Sequence, residues 1–357
     1  MKISRVAART ESVALTRPYT ITFRSIDDVQ MGFVEITTDN GLTGIGCASP
    51  EAKVTGETRD ACSAALEEEA LAWLVGRDAR TLPALCRELE RRLPETPAAR
   101  AAVDIALHDL LAQHLGVPLA DMLGRVHQSL PTSITIGIKS VDETVAEAEE
   151  YVGRGFKILK VKLGHSLEED LARLTRLRER IGAGIGIRVD PNQGYSAEQL
   201  KTFVERTGRL DIEFLEQPMA ADDIDAMRAL PEAVRARLAA DETLLDARDA
   251  LTLIEPPRAC GIFNIKLMKC GGVRAAGRIA VIAETAGIEL MWGCMDESIV
   301  SISAALHAAL ASPATRYLDL DGSLDLARDV VDGGFLLENG CMRTYERPGL
   351  GVRRLEG

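Results

Sequence analysis

Two lysines stand close together in the otherwise apolar stretch KILKVKLG, residues 157–164 of this 357-residue chain. Lys160 and Lys162 are two positions apart, and side chains two apart in a β-strand point to the same face. Two ammonium groups in a protein interior are costly unless negative charge compensates them or one of them loses its proton. The pair therefore predicts a site where lysine acts as an acid or a base beside anionic groups.

Three acidic residues stand at the ends of the apolar stretches that follow. Asp190 ends GIGIRVD, Glu216 ends DIEFLE and Asp241 lies near the end of RLAADE. On neighbouring parallel strands these carboxylates would converge on one point, where they repel each other unless a cation lies among them. Oxygen ligands without histidine favour a hard cation, so we expect Mg²⁺, with Mn²⁺ as a substitute.

A third lysine, Lys266, lies near the end of the stretch IFNIKL. Lys162 and Lys266 would then flank the three acidic strands and face each other across a substrate held by the ion. Such a pair can remove a proton from one face of a carbon and return one to the other face. An amine base must work below the usual lysine pKa of about 10.4, and we expect Lys160 and the divalent cation to lower the pKa of Lys162.

The elements that must position these residues form a regular repeat. Eight short apolar stretches alternate with helical patterns between residues 133 and 321, and the strand ends from Lys162 to Lys266 fall 25 to 28 residues apart. Eight βα units close a barrel, and such barrels carry their active sites at the carboxyl ends of the strands. We therefore predict a TIM-type barrel of the α/β class. The alternative is a doubly wound open sheet, but no GxGxxG motif follows a first strand.

The beginning of the chain has a different pattern. Alternating apolar residues and an Asn-Gly turn predict an antiparallel sheet, and amphipathic helices follow as far as Gly116. We predict an α+β domain over residues 1–125, the barrel over residues 126–322 and a C-terminal segment over residues 323–357.

Composition disfavours several classes of function. The net charge of -12 comes without a long basic cluster, which argues against nucleic acid, and no apolar stretch has the length of a membrane span. The start of the chain lacks a signal-peptide pattern, and the seven cysteines form no CxxC pair, so we expect reduced thiols in a cytoplasmic protein. The expected partners are a small-molecule substrate and further copies of the chain in a homo-oligomer.

Five ordered motifs resemble the muconate-lactonizing-enzyme subgroup of the enolase superfamily. They are KVKLG (160–164), RVDPNQGY (188–195), EFLEQP (213–218), ADET (240–243) and NIKLMKCGG (264–272). The resemblance covers nearly the whole chain and implies a modified (β/α)7β barrel with an α+β capping domain, which the C-terminal segment completes. It also implies that the three carboxylates bind Mg²⁺ and that Lys162 and Lys266 are the acid and the base.

The stretch DLDG narrows the expected reaction. Asp319 and Asp321 are similar to the Asp-x-Asp pair that receives the free α-ammonium in dipeptide epimerases. The resemblance therefore implies inversion at the α-carbon of the C-terminal residue of a dipeptide by a 1,1-proton transfer. The alternatives are an N-acylamino-acid racemase or o-succinylbenzoate synthase, which binds no free ammonium, and a catalytically silent barrel, which needs no lysine pair. Asn192 is a further candidate for substrate binding.

The resemblance also implies that two loops of the capping domain, residues 16–28 and 47–57, close over the barrel mouth and face the side chains of the substrate. Arg24 in the first loop resembles a position that receives an acidic side chain in Ala-Glu epimerases of cell-wall peptide recycling. Glu51 in the second loop and Asp296 after the seventh strand bring negative charge to the same mouth. This balance favours dipeptides that carry Lys or Arg, with Ala-Glu as the alternative.

Overall fold

The N-terminal part of the protein is a three-stranded antiparallel sheet covered by helices. The computed structural model describes residues 1–22 and 24–355, and the side chain of Arg24 also lies outside the described part. The strands are β1 (Ile3–Ile21), β2 (Arg24–Thr38) and β3 (Thr43–Ala48), in that order. The first predicted loop, residues 16–28, is largely the end of the β1–β2 hairpin, whose register shifts between Ala14 and Tyr19.

Six helices follow the sheet. They are α1 (Ala52–Thr55), α2 (Arg59–Ala65), α3 (Glu68–Leu71), α4 (Leu82–Arg92), α5 (Pro97–Leu115) and α6 (Leu119–Leu123). The alanine-rich helix α5 is buried along most of its length and packs directly on β3. A Cβ atom at Gly46 would lie 1.8 Å from the carbonyl oxygen of Ala102, so this close approach requires glycine.

Eight parallel strands form the second sheet, and a short strand β4 (Leu130–Pro131) precedes them. They are β5 (Ile134–Ile136), β6 (Ile158–Lys162), β7 (Gly186–Asp190), β8 (Ile212–Glu216), β9 (Leu238–Ala240), β10 (Ile262–Ile265), β11 (Glu289–Gly293) and β12 (Thr315–Asp319). Each strand pairs with the next in the chain, and the backbone N–H of Ser133, just before β5, donates to the carbonyl of Leu318 in β12 at 3.0 Å. The sheet thus closes on itself, which confirms the predicted barrel and rules out the open sheet.

Helices connect the strands of the barrel on its outside. They are α7 (Val141–Gly153), α8 (Leu167–Ile181), α9 (Ala197–Thr207), α10 (Ile224–Ala229), α11 (Glu232–Arg235), α12 (Ala247–Ile254), α13 (Leu267–Cys270), α14 (Val273–Ala286) and α15 (Ile299–Leu310). Helix α15 is almost entirely buried, because it contacts β3 and α5 of the N-terminal part as well as the barrel. This packing fixes the N-terminal sheet beside the mouth of the barrel.

The last part of the chain returns to the N-terminal sheet. Its strands are β13 (Val331–Gly333), β14 (Phe335–Glu338), β15 (Cys341–Thr344) and β16 (Val352–Arg354). Leu15 of β1 forms a bridge with Leu326, and the N–H of Ala327 donates to the carbonyl of Ala14. The exact division into residues 1–125, 126–322 and 323–357 stays a prediction. None of the helices in the described part of the chain combines the length and apolar composition that a bilayer crossing needs.

Candidate active site

Lys160 lies at the centre of the site, among the carboxyl ends of β7, β8 and β12. Its ammonium is 2.8 Å from Oδ2 of Asp319, 2.7 Å from Oε2 of Glu216 and 3.2 Å from Oδ2 of Asp190. Burial by itself lowers the pKa of Lys160, but these three carboxylates outweigh burial and raise the pKa well above its usual value. The protein therefore supplies the negative charge that this lysine needs, and Lys160 stays protonated.

Lys162, the other lysine of β6, reaches towards β7. Its ammonium donates to Oδ2 of Asp190 at 2.6 Å and to the side-chain oxygen of Asn192 at 3.1 Å. Asn192 lies in the loop after β7 with a φ of 42°, and its backbone N–H donates to Oδ1 of Asp190. The carboxylate and the amide thus hold the Lys162 ammonium at the surface of the cavity described below.

Lys266, directly after β10, approaches from the other side of the acidic strands β7, β8 and β9. Its ammonium donates to Oδ2 of Asp241 at 2.7 Å. Burial lowers the pKa of Lys266, but the carboxylates of Asp241 and Glu216 outweigh burial and raise the pKa. A base needs a lower pKa, and a divalent cation bound by the same carboxylates would counteract this effect.

Two further polar residues support the acidic groups and were not predicted. The ammonium of Lys269, in α13, contacts both the carboxylate and the carbonyl of Asp241. The amide of Asn264, in β10, donates to Oε1 of Glu216 at 2.9 Å. Both residues could have been found from their spacing to Lys266. Asn264 is two residues before it, as for residues on the same face of a strand, and Lys269 is three residues after it, as for residues on the same face of a helix.

The carboxylates of Asp190, Glu216 and Asp241 are fully buried and act on each other electrostatically. Burial and the charge of Asp190 raise the pKa of Glu216 to about 8. Although the Lys160 ammonium is near, Oε2 of Glu216 accepts no hydrogen bond within the described residues. The pKa of Glu216 stays raised although the Lys160 ammonium lies 2.7 Å from Oε2, so a bound cation would further stabilise the ionised carboxylate. These oxygen-only ligands fit Mg²⁺.

A second group of metal-type ligands lies away from the barrel mouth. One ligand atom each of Cys86, Asp104 and His108 lies within 4.8 Å of the others, and all three residues are buried. However, Nδ1 of His108 is 2.8 Å from the carbonyl oxygen of Asp104, which can only accept. This nitrogen therefore carries a proton and cannot bind a metal, and it lies 3.2 Å from Oδ1 of Asp104 within the cluster.

Asp319 and Asp321 differ in how their charges are compensated. Asp319 accepts from the hydroxyl of Ser133 at 2.6 Å and from Lys160 at 2.8 Å. Asp321 accepts the backbone N–H of Thr135 on Oδ2 at 2.7 Å, and its Oδ1 accepts, among the described residues, a hydrogen bond only from the thiol of Cys294, at 3.9 Å. Burial and the charge of Asp319 raise the pKa of Asp321 to about 7. Asp321 is thus a partly buried carboxylate with one oxygen open to a cationic ligand.

A cleft with about 1170 Å³ of empty space, open to solvent, joins these groups. Lys162, Lys266, Asn192 and Asp321 line it, and residues of the β1–β2 hairpin and of the segment after β3 form its walls. The cleft therefore combines two lysines on opposite sides with a cation-binding carboxylate at one end.

The cap side of the cleft carries the predicted acidic residues. Tyr19 donates to Oδ2 of Asp296 at 3.0 Å, and Ser49 donates to the carbonyl of Asp296 at 2.8 Å. Glu51 begins α1 and lines the cleft together with Asp296. The side chain of Arg24, the predicted acceptor of acidic substrate side chains, lies outside the described residues.

Models of two protein families match this chain. The model described as enolase C-terminal domain-like matches residues 143–356, which include nearly all of the barrel. The model of the mandelate racemase / muconate lactonizing enzyme N-terminal domain matches residues 4–124. The two matches together span most of the sequence.

The chain is also similar to proteins of known activity. It is 62% identical to the L-Lys-D/L-Arg epimerase of Methylococcus capsulatus, over 99% of each chain. It is 58% identical to the L-Lys-D/L-Arg epimerase of Desulforapulum autotrophicum, over 99% of this chain and 100% of the relative. The crystal structure of the Methylococcus capsulatus dipeptide epimerase with Mg and the dipeptide L-Arg-D-Lys superposes with a TM-score of 0.97, at 62% identity and over 99% of each chain.

Proposed function

We propose that this chain, which belongs to the mandelate racemase and muconate lactonizing enzyme family of the enolase superfamily, is an epimerase of dipeptides that carry lysine or arginine. The observation that carries this proposal is the open carboxylate oxygen of Asp321 in the same cleft as Lys162 and Lys266. An N-acylated amino acid has no ammonium for this carboxylate, whereas a dipeptide has one. The activity of the two similar epimerases supports the same reaction.

Mg²⁺ is the cofactor of this reaction, as it is the ion in the solved relative. Asp190, Glu216 and Asp241 would hold it, because they form a buried oxygen-only set in which Glu216 keeps a raised pKa beside the lysines. When bound, the ion supplies positive charge that stabilises the negative charge left on the substrate after the α-proton is removed.

The two lysines carry the proton transfer. Lys162 and Lys266 lie on strands that flank the acidic strands, so each can reach one face of an α-carbon held between them. One lysine removes the α-proton and the other gives a proton to the opposite face, which inverts the configuration. Lys160 stays protonated among its three carboxylates and adds positive charge beside the developing anion.

The charge on the cap side of the cleft supports the preference for cationic side chains. Glu51 and Asp296 line this side, and negative walls favour lysine and arginine over glutamate. The similarity to the two L-Lys-D/L-Arg epimerases supports the same preference.

The test compares kcat/KM for deuterium uptake from D₂O by four substrates: L-Arg-L-Lys, L-Lys-L-Arg, L-Ala-L-Glu and N-succinyl-L-Arg. We expect the two cationic dipeptides to be the best substrates. We also expect Glu51→Gln and Asp296→Asn to lower their kcat/KM while leaving L-Ala-L-Glu unaffected. A preference for L-Ala-L-Glu that neither substitution changes would contradict the cationic preference. A preference for N-succinyl-L-Arg would contradict dipeptide epimerisation.

We also propose a cytoplasmic location. All seven cysteines lie in the described part of the chain and are free thiols, which is typical of proteins in a reducing compartment. Assembly into a homo-oligomer stays a prediction.

A further inference from the structure

Asp325 lies in the wall of the cleft, four residues after Asp321. The chain turns between them, since the N–H of Leu324 donates to the carbonyl of Asp321 at 2.8 Å. The N–H of Thr16, in β1, then donates to the carbonyl of Asp325 at 2.7 Å. The backbone of Asp325 is therefore held between the ammonium-binding end of the cleft and the N-terminal sheet.

The carboxylate of Asp325 has no partner in the described part of the chain. It is half-buried, and it accepts no hydrogen bond and forms no ion pair there. Burial raises its pKa, against the opposing effect of Arg17. Arg17 itself is held by two hydrogen bonds to Glu150, of 2.6 and 3.1 Å. Arg154, the other cation that lowers this pKa, also forms an ion pair with Glu150, at 3.6 Å. Both cations are thus already paired, and the carboxylate of Asp325 remains available to a ligand.

The other cation of this wall is also paired. Lys139 forms an ion pair with Glu147, which accepts a further hydrogen bond from the hydroxyl of Tyr151 at 2.9 Å. Asp325 is therefore the carboxylate of this wall whose side chain forms no hydrogen bond or ion pair among the described residues.

The position of this wall around the barrel indicates which part of a dipeptide it meets. Lys139, Glu147 and Tyr151 follow β5 in the chain, and the N–H of Thr135 in β5 donates to Asp321. The wall thus adjoins the end of the cleft that binds the ammonium of the N-terminal residue.

The second acidic wall lies on another side of the mouth. Asp296 follows β11, and the segment that carries Glu51 is tied to the region after β10, where the N–H of Ser49 contacts the sulfur of Met268 at 3.2 Å. The segment of Glu51 thus adjoins Lys266 and so the α-carbon that is inverted. The segment of Asp296 also approaches the ammonium-binding end, since the N–H of Glu297 donates to the carbonyl of Gly322 at 3.2 Å.

We propose that Asp325 determines specificity for the side chain of the N-terminal residue of the substrate, by accepting a hydrogen bond from its guanidinium or ammonium group. This inference rests on the proposed epimerase activity. The side chain leaves the same carbon that carries the ammonium bound by Asp321, and the wall with Asp325 adjoins that carboxylate. This contact is equally strong in the bound substrate and in the transition state, because the side chain takes no part in the reaction. It therefore strengthens substrate binding without changing the rate of the chemical step.

The test varies the N-terminal residue of the substrate while keeping the residue that is inverted. Deuterium uptake at the lysine α-carbon is measured for L-Arg-L-Lys and L-Ala-L-Lys with the wild type and with Asp325→Asn. We expect the wild type to prefer L-Arg-L-Lys. Asp325→Asn should lower kcat/KM for this dipeptide by about tenfold, through a higher KM at unchanged kcat, and leave L-Ala-L-Lys unaffected.

Two variants serve as controls. Asp325→Glu keeps the charge and should keep most of the preference for L-Arg-L-Lys. Asp332→Asn makes the same chemical change in β13, where Asp332 is already paired with Arg353 and does not line the cleft, and should leave the ratio of the two kcat/KM values unchanged. Equal loss for both dipeptides, or no loss, in Asp325→Asn would overturn the role of Asp325 while epimerisation stands. Absence of exchange into either dipeptide by the wild type would overturn the proposed function and this inference together.

Discussion

The ammonium of Lys160 lies 2.8 Å from Oδ2 of Asp319 and joins the two halves of the active site. On one side Lys160 also contacts Asp190 and Glu216, which we assign to the metal. On the other side Asp319 stands two residues before Asp321, which we assign to the substrate ammonium. The charges of the metal-binding half and the ammonium-binding half are thus coupled through Lys160, so a change of charge in one half alters the electrostatics of the other.

Removal of either catalytic lysine should abolish epimerisation. Lys162→Ala or Lys266→Ala should lower the rate by about 10²- to 10⁴-fold, because the proton for one face of the α-carbon is lost. Each variant should still exchange the α-proton of one diastereomer for deuterium in D₂O, and the two variants should act on opposite diastereomers. Exchange is followed by NMR, with Lys157→Ala, an exposed lysine just before β6, as the control. Full epimerisation by either variant would refute the assignment of two bases.

Removal of the metal with a chelator should abolish the epimerase activity, and added Mg²⁺ should restore this activity. Mg²⁺ should also raise the free energy of unfolding of the metal-free protein, by about 2.7 kcal/mol at 100 times its Kd. Asp241→Asn should lose this stabilisation, whereas Asp104→Asn, in the buried Cys86–His108 cluster, should keep it. Thermal unfolding with and without Mg²⁺ checks both variants. If Asp104→Asn lost the stabilisation by Mg²⁺ and Asp241→Asn kept it, the metal would bind at the cluster of Cys86, Asp104 and His108 instead of at the barrel mouth.

Asp319 and Asp321 should respond differently to neutralisation. Asp321→Asn should weaken the binding of dipeptides with a free amino terminus by about 1.5–3 kcal/mol, since a charge-assisted contact is lost. Asp319→Asn should lower kcat as well, because the buried Lys160 loses one of its three counter-charges. Steady-state kinetics with free and N-acetylated dipeptides separates the two effects. Equal turnover of both substrate types by the wild type would disprove the ammonium-binding role.

Acid should destabilise the protein through His307. Nδ1 of His307 accepts the N–H of Ala120, and Nε2 faces the carbonyl of Leu350, so the buried ring is neutral. Burial lowers the pKa of His307 to about 4, below the value of about 6.5 in the unfolded chain. The unfolded state then binds more protons between these values, so stability is complete above pH ~6.5 and falls as the pH falls towards ~4, by about 3 kcal/mol.

Urea unfolding between pH 4 and 8 checks this prediction, with His307→Gln beside the wild type. The difference between the two proteins isolates His307 from other buried groups such as Asp109, whose raised pKa acts with the opposite sign. The exposed His114 provides the control, and His114→Gln should follow the wild-type curve. Parallel curves for wild type and His307→Gln would contradict the assignment.

The barrel and most of its catalytic groups could be predicted from the sequence, because both depend on local periodicity. A strand alternates its faces every residue, and a βα unit repeats at nearly constant length. Lys162, Asp190, Glu216, Asp241 and Lys266 occur at one phase of this repeat, so the closed barrel brings them to one end. Their chemical types then suffice to indicate a hard cation and a pair of bases.

The partners of these groups were decided by tertiary structure alone. Lys160 was expected to act on Lys162, but it is held by carboxylates from three other strands, one of them 159 residues away in the chain. The predicted loop of residues 16–28 is largely the end of the β1–β2 hairpin. Asp325 reaches the cleft only because the backbone of its segment is hydrogen-bonded to β1. No local pattern encodes such contacts, since the energy of a buried charge depends on every charge and donor near it in space, whatever their separation in sequence.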